Sequence, residues 1–240
     1  MIFVTGDTHG YLSELKKRVK PDGTGWTEED TLIVCGDFGF VFSAAEKDGR
    51  YPDDDALDLI ARDYPQRILC VSGNHENFDR FYAYPDVPFC GGTAKEIRKG
   101  KIYLLKRGEA YLIEGKRCFT FGGAFSTDKA RRLAIERTYG GEKCWWEREL
   151  PSPEEYRHAA ETLKKYNYRF DCVITHNCPE RVIYWMKRFP DRHEQELTGF
   201  LDWIYTDVRF DRWYFGHWHA DESFDGGKIT ACFQEVHALE

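Results

Sequence analysis

The chain has 240 residues, of which 42% are hydrophobic and 16% aromatic, and its net charge is -7. This composition supports a sizeable core, and the acidic balance disfavours indiscriminate binding to nucleic acid. No apolar run reaches the length of a membrane span and the N-terminus does not have the pattern of a signal peptide, so we expect a cytoplasmic protein without a membrane partner.

Ile2-Phe3-Val4-Thr5 is an apolar, β-branched run that predicts a buried strand, and Gly6-Asp7-Thr8-His9-Gly10 follows it as a loop. Asp7 and His9 would project on one side of an extended segment, where together they could bind a cation. Taken alone, this short pattern is explained more simply by a turn aspartate beside a surface histidine.

The next stretch, Tyr11 to Val19, has the spacing of an amphipathic helix. Leu12, Leu15 and Val19 would share its buried face, whereas Lys16-Lys17-Arg18 would face solvent. Strand 31–35 then leads directly into Gly36-Asp37.

A helix is predicted over 54–64. Asp53-Asp54-Asp55 is expected to begin this helix rather than to form a metal cluster, because carboxylates favour the positive end of the helix dipole. Strand 68–71 runs into Gly73-Asn74-His75-Glu76. Repeated strand, glycine loop and helix indicate an α/β protein with its functional loops at the carboxyl ends of the strands.

The middle of the chain contains three short runs, 102–105, 110–113 and 118–121, which predict an antiparallel meander within a mixed sheet. Residues 123–152, here named the covering segment, do not have the pattern of a core. Lys129, Arg131 and Arg132 would bind phosphate or face water, and Trp145 and Trp146 would stack on a base or anchor the segment.

The remaining chain predicts helices at 154–166, 179–188 and 194–205 and strands at 172–175, 212–215 and 228–233. One strand leads into His176 and another into Gly216-His217-Trp218-His219. Without repeats or a linker, residues 1–238 are expected to form one domain. The cysteines at 35, 70, 118, 172 and 232 fall in predicted strands and are interpreted as small, reduced core residues.

Polar residues follow five of the predicted strands: Asp7, His9, Asp37, Asn74, His176, His217 and His219. A parallel or mixed sheet gathers such strand ends on one edge. Seven ligands with one shared carboxylate suit two adjacent cations, which stabilise both the attacking and the leaving oxygen in phosphoryl transfer when about 3.5–4 Å apart.

These motifs in this order, from residue 6 to residue 219, resemble those of the calcineurin-like metallophosphoesterases. The resemblance implies an α/β fold of two mixed β-sheets packed face to face and flanked by helices, in four α-β-β-α layers. It implies that one metal is held by Asp7, His9, Asp37 and His219, and that Asp37 bridges to a second metal held by Asn74, His176 and His217.

The resemblance also implies hydrolysis of a phosphomonoester or phosphodiester by a metal-bridging hydroxide. His75 would be the general acid or would stabilise the transition state through a phosphoryl oxygen. Glu76 or Asp79 could raise the pKa of His75, although Glu76 could equally begin the following helix. The donor types suit two divalent ions chosen from manganese, iron, zinc and magnesium, with manganese favoured.

Two positions depart from the protein-phosphatase and diadenosine-tetraphosphatase branches of that family and favour a small bacterial-type branch. Phe38-Gly39-Phe40 follows Asp37 and Ser72 precedes Gly73, so the usual phosphate-clamping arginines are absent there. A catalytically silent binding scaffold is one alternative. A nuclease is another, which the net charge disfavours but a basic face near Arg131 would allow. The sequence does not predict an oligomeric state.

Overall fold

The computed structural model describes residues 1–139 and 143–239, with only the backbone of Tyr139. Residues 140–142 of the covering segment lie outside the described residues. The elements are, in chain order, β1 (Ile2–Thr5), α1 (Leu12–Lys17), β2 (Thr31–Val34), α2 (Asp54–Asp63), β3 (Arg67–Val71), α3 (Phe78–Ala83), β4 (Asp86–Phe89), β5 (Gly92–Arg98), β6 (Ile102–Leu105), β7 (Glu109–Ile113), β8 (Lys116–Phe121), α4 (Lys129–Tyr139), α5 (Pro153–Lys165), β9 (Cys172–Thr175), α6 (Glu180–Trp185), α7 (Gln195–Asp207), β10 (Arg212–Phe215), β11 (Glu222–Phe224), β12 (Ile229–Ala231) and β13 (His237–Ala238).

The strands form two mixed sheets. The seven-stranded sheet has the order β13-β1-β2-β3-β6-β5-β4, and the six-stranded sheet has the order β11-β12-β10-β9-β8-β7. Strands β1, β2, β3 and β6 are parallel in the first sheet, and β12, β10, β9 and β8 are parallel in the second. Antiparallel strands complete the edges. The predicted fold class is therefore confirmed.

Alternating side chains along the strands separate three apolar clusters. Val4, Ile33 and Leu69 of one sheet meet Cys172 and Ile174 of the other in the layer between the sheets. The opposite face of the seven-stranded sheet packs on α1, α2 and α3, and that of the six-stranded sheet packs on α5, α6 and α7. Each fully buried aliphatic side chain contributes about 1.5–3 kcal/mol, so the sheet interface and the helix layers together fix the strand ends.

The predicted meander is wrong in one respect, because β6 lies in the seven-stranded sheet whereas β7 and β8 lie in the six-stranded sheet. The chain passes between the sheets at Arg107-Gly108, where Gly108 has φ 77°. Tyr111 holds the crossing by accepting a hydrogen bond from Lys106 N (2.9 Å) and donating one to Thr93 O (2.8 Å). Short apolar strands look alike in sequence whichever sheet they join.

Helix α1 is shorter than predicted. As a result Val19 is exposed and Arg18 is buried, the opposite of what was expected. The helix ends at Lys17, after which Arg18 has extended backbone. Val19 is 64% exposed, whereas Arg18 is only 2% exposed and donates from Nη2 to Asp7 O at 2.8 Å. The prediction that Lys16-Lys17-Arg18 faces solvent is therefore wrong for Arg18, because helical periodicity no longer applies once the helix has ended.

The cysteines agree with the expectation of small core residues. All eight are free, and the five in or directly after predicted strands are buried. Within the described part of the chain, no helix has the length and apolar character needed to cross a bilayer.

Candidate metal centre

Loops at the carboxyl ends of β1, β2, β3, β9 and β10 bring the strand-end polar residues to one edge of the molecule. Thr8 N and His9 N both donate to Asp37 O, at 3.0 and 2.8 Å, which ties the first loop to the second. His217 N donates to Asp7 Oδ1 at 3.1 Å and ties in the loop after β10. Main-chain N–H groups therefore link loops from both sheets, in one case through the Asp7 carboxylate.

Four of the seven candidate ligands adopt left-handed backbone, namely His9 (φ 48°), Asp37 (φ 46°), His217 (φ 66°) and His219 (φ 48°). Residues with a Cβ avoid this region at a cost of about 1–2 kcal/mol each, and strain of this kind concentrates at functional sites. This backbone, rather than the extended segment expected for Asp7 to His9, makes the side chains converge.

The first group of side chains that could hold a metal ion is Asp7, His9 and His219. Asp7 Oδ2 lies 3.0 Å from His219 Nε2 and 3.7 Å from His9 Nε2, and the two imidazole nitrogens are 3.0 Å apart. Asp7 Oδ2 is completely buried, yet it accepts no well-aligned hydrogen bond from the described residues. A buried carboxylate oxygen without a donor fits a cation.

The second group surrounds His176, whose ring is fully buried. Its Nδ1 lies 2.7 Å from Cys35 O, so Nδ1 carries the proton and Nε2 presents a lone pair. That Nε2 faces Asn74 Oδ1 at 3.0 Å and Asp37 Oδ1 at 3.5 Å. The ring of His217 lies 5.0 Å from that of His176. Three electron-pair donors that face one another again fit a cation.

Asp37 lies between the two groups. Its Oδ2 is 3.8 Å from His9 Nδ1, and its Oδ1 accepts hydrogen bonds from Asn74 N (2.8 Å) and His75 N (2.7 Å). Burial alone would raise the pKa of Asp37, but the imidazoles of His176, His75 and His9 outweigh burial and hold this pKa well below its usual value. An ionised carboxylate between two groups of donors has the position that a bridging ligand requires.

Three glycines are required by the close approach of these side chains. A Cβ on Gly36 would overlap the ring of His176, one on Gly73 would overlap the Asp37 carboxylate, and one on Gly216 would overlap Asp7 Oδ1. The glycines therefore let backbone pass directly against the candidate ligands.

The histidines differ in charge preference. Burial, reinforced by nearby His176, lowers the pKa of His217 to about 3, so this ring is neutral at physiological pH. The Asp7 carboxylate, 3.0 Å away, raises the pKa of the half-buried His219. Because metals bind only neutral imidazole, a cation would compete with a proton less at His217 than at His219.

Comparison with known proteins shows the family of the chain. The sequence profile of the calcineurin-like phosphoesterases matches residues 1–221. The chain belongs to this family. No curated protein matches it significantly.

Two solved structures are similar to this family member. One is the phosphopantetheinyl hydrolase of Mycobacterium tuberculosis, which is 18% identical with a TM-score of 0.45, over 97% of this chain and 89% of that one. The other is a structure of a putative 5'-nucleotidase from Staphylococcus aureus, which is 15% identical with a TM-score of 0.46, over 96% of this chain and 48% of that one.

In this phosphoesterase-family chain, His75 lies next to the centre and contacts a residue of the covering segment. Arg132, only 6% exposed, places Nη2 2.7 Å from His75 Nδ1. Burial lowers the pKa of His75, Asp37 partly offsets this effect, and Arg132 adds to the lowering. Asp128 Oδ1 holds Arg132 from the other side, 2.8 Å from Nε.

The expectation that Glu76 or Asp79 raises the pKa of His75 is wrong, because both carboxylates are engaged elsewhere. Glu76 is buried and accepts hydrogen bonds from Phe38 N (2.9 Å) and Gly39 N (3.3 Å), two residues before helix α3 begins. Asp79 accepts from Lys143 Nζ and Trp146 Nε1, at 2.7 and 2.8 Å. Glu76 braces the loop after β2, and Asp79 anchors the covering segment.

The other predicted substrate contacts have different environments. Lys129 Nζ stacks over the Trp145 ring at 3.7 Å from the centroid, and Arg131 is exposed. Trp146 is buried, as expected for an anchor. The expectation that basic residues here face water is wrong for Arg132, because helix α4 turns this side chain inward.

Sequence reasoning missed three residues near the centre. Arg18 binds the main chain of Asp7, and Ser126 and Glu149 lie buried behind Asn74. Ser126 and Glu149 both lie in the covering segment, which contains no recognisable motif. Nothing in the sequence therefore indicated that either residue lies near the centre.

Proposed function

We propose that this chain is a dinuclear metal-dependent phosphoesterase that hydrolyses a phosphomonoester or a phosphodiester. Asp7, His9, Asp37 and His219 would hold one divalent cation, and Asp37, Asn74, His176 and His217 the other. The observation that carries the proposal is the ionised Asp37 carboxylate, which lies 3.8 Å from His9 Nδ1 on one side and 3.5 Å from His176 Nε2 on the other, between two groups of candidate ligands. The Asp, Asn and His ligands suit manganese, iron, zinc or magnesium alike, and manganese is the ion that we propose.

When bound, such ions lower the pKa of water and stabilise charge on phosphoryl oxygens. The protein residues hold and orient the substrate. Arg132 presents a fixed guanidinium, which suits two oxygens of one phosphate. His75, which contacts Arg132, would lie within reach of the same phosphate. It would donate a hydrogen bond to a phosphoryl oxygen or a proton to the leaving oxygen. Its lowered pKa favours the hydrogen bond.

The first test measures metal-dependent hydrolysis. After treatment with a chelator, the protein should cleave neither p-nitrophenyl phosphate nor bis-p-nitrophenyl phosphate, and added manganese should restore cleavage of at least one of them. Absence of turnover with manganese, iron, zinc and magnesium alike would contradict the proposal. A silent scaffold would give that result.

The same assay tests the role of Arg132. Loss of a charged hydrogen-bond donor is worth about 1.5–3 kcal/mol, so Arg132→Ala should lower kcat/KM by about 10- to 150-fold. Arg132→Lys should recover only part of the loss, because lysine cannot bind two oxygens in one plane. Arg131→Ala, on the exposed side of the same helix, is the matched control and should leave kcat/KM unchanged. Equal losses for both alanine variants would contradict this role.

A further inference from the structure

The side-chain amide of Asn74 can point either its oxygen or its nitrogen toward the centre, and the other candidate ligands do not determine which. The two ends of its side-chain amide have the same size, but only Oδ1 can ligate a cation. In the structure Oδ1 faces His176 Nε2 at 3.0 Å, and Nδ2 donates to Ser126 Oγ at 3.1 Å. The contact with Ser126 therefore lies on the side of the amide away from the centre.

Ser126 is the acceptor in this contact, because its own proton is engaged elsewhere and the Asn74 amide must supply the donor. Its Oγ donates to Glu149 Oε2 at 2.6 Å, and its main-chain N donates to Glu149 Oε1 at 2.9 Å. An ionised carboxylate only accepts hydrogen bonds, so the Ser126 hydroxyl leaves lone pairs for Asn74. Burial raises the pKa of Glu149, and the two hydrogen bonds from Ser126 oppose that rise.

The main chain at Glu149 is in turn held by Arg107, which lies in the turn between β6 and β7. Arg107 Nη2 donates to Glu149 O at 2.9 Å and to Arg148 O at 3.0 Å, and Nη1 donates to Leu150 O at 3.3 Å. Ser126 and Glu149 are each only 1% exposed. Arg107 thus fixes the main chain at Glu149, and the hydrogen bonds run from the buried Glu149 carboxylate through the Ser126 hydroxyl to Asn74.

We propose that Ser126 and Glu149 of the covering segment are positioning residues, which fix the Asn74 amide with its oxygen toward the second cation. This inference rests on the proposed function, since it requires a cation at Asn74 and His176. The covering segment then contributes to metal binding as well as to the substrate side of the centre.

Calorimetric titration of the chelator-treated protein with manganese tests the inference without an activity assay. Loss of a residue that orients a ligand lowers metal affinity by about 10- to 100-fold, so Ser126→Ala should weaken the second ion by that factor and leave the first unchanged. Glu149→Gln should weaken it less, because glutamine keeps one acceptor for Ser126. This second variant preserves volume and tests the inference if Ser126→Ala does not fold.

Asn74→Asp separates orientation from general support of the fold. A carboxylate offers an oxygen on both sides and needs no orientation, so Ser126→Ala should have no effect on manganese affinity in the Asn74→Asp background. An equal loss in both backgrounds, or a second-ion affinity within twofold of the wild type for Ser126→Ala, would overturn the positioning role. Wild-type protein that binds no manganese would instead overturn the proposed function.

Discussion

The individual residues of the centre combine a predictable chemistry with an unpredictable backbone. Asp, Asn and His directly after buried strands were recognisable, because strand ends of a mixed sheet meet at one edge. The left-handed conformations of His9, Asp37, His217 and His219 were not, since aspartate and histidine adopt a positive φ more often than most residues but still only in a small minority of cases. Arg18 was missed for a related reason, because its side chain points inward only after the helix has ended.

The backbone strain leads to a test at His219. In chelator-treated protein, His219→Gly should be more stable than His219→Ala by about 1–2 kcal/mol, because glycine adopts φ 48° freely and alanine does not. Urea unfolding of the two variants measures this difference in the free energy of unfolding.

An exposed loop position provides the control for that comparison. Gln234 is exposed and has no positive φ, so Gln234→Gly should be less stable than Gln234→Ala. If the alanine variant is the more stable one at both positions, His219 is not strained.

Among the elements, helices and strands of the regular layers were largely predicted, and the covering segment was not. Helix α2 begins at Asp54 as expected, and α5 begins with the Ser152 capping box that its sequence allows. In the covering segment, by contrast, inward and outward positions depend on contacts with distant residues. Arg132 meets His75 across 57 positions of the chain, and no local pattern predicts such a contact.

Arg107 is expected to be the main attachment of the covering segment. Hydrogen bonds to charged groups contribute about 1.5–3 kcal/mol, so Arg107→Met should accelerate amide hydrogen exchange of residues 143–152 by about tenfold or more. Arg148→Met removes a mostly exposed arginine of the same segment and should leave exchange nearly unchanged. Equal acceleration of exchange by both variants would show that Arg107 is not the main attachment of the covering segment.

At the scale of the whole molecule, the motifs were sufficient to predict two packed sheets with helices on both sides. They did not indicate how the middle strands divide between the sheets, because β6, β7 and β8 have similar apolar patterns and only packing distinguishes their partners. Long-range polar contacts were equally hidden. Glu194, for example, is buried before α7 and accepts a hydrogen bond from Phe125 N at 3.1 Å.

Glu194 should make the stability of the metal-free protein depend on pH. Burial raises its pKa above the usual 4.5, so the folded state prefers the protonated form. Stability therefore falls as the pH rises from about 4.5 through the folded pKa, with a slope of at most about 1.4 kcal/mol per pH unit. Glu194→Gln removes this loss, so its stability relative to the wild type should increase between pH 5 and pH 8.

Urea unfolding at several pH values measures that difference. Glu196→Gln, at an exposed position of the following helix, is the matched control, and its difference from the wild type should change less over the same range. A constant difference between Glu194→Gln and the wild type would contradict the expected dependence.

The division of the candidate ligands between the two sheets also constrains how the molecule matures. Four of them precede residue 75, but His176 follows β9, and His217 and His219 follow β10. A ribosome that has released only the first 170 residues has exposed no histidine able to complete either group. Ion binding by the full set of proposed donors would thus be a late event, and it would stabilise the finished protein without guiding the earlier stages of its folding.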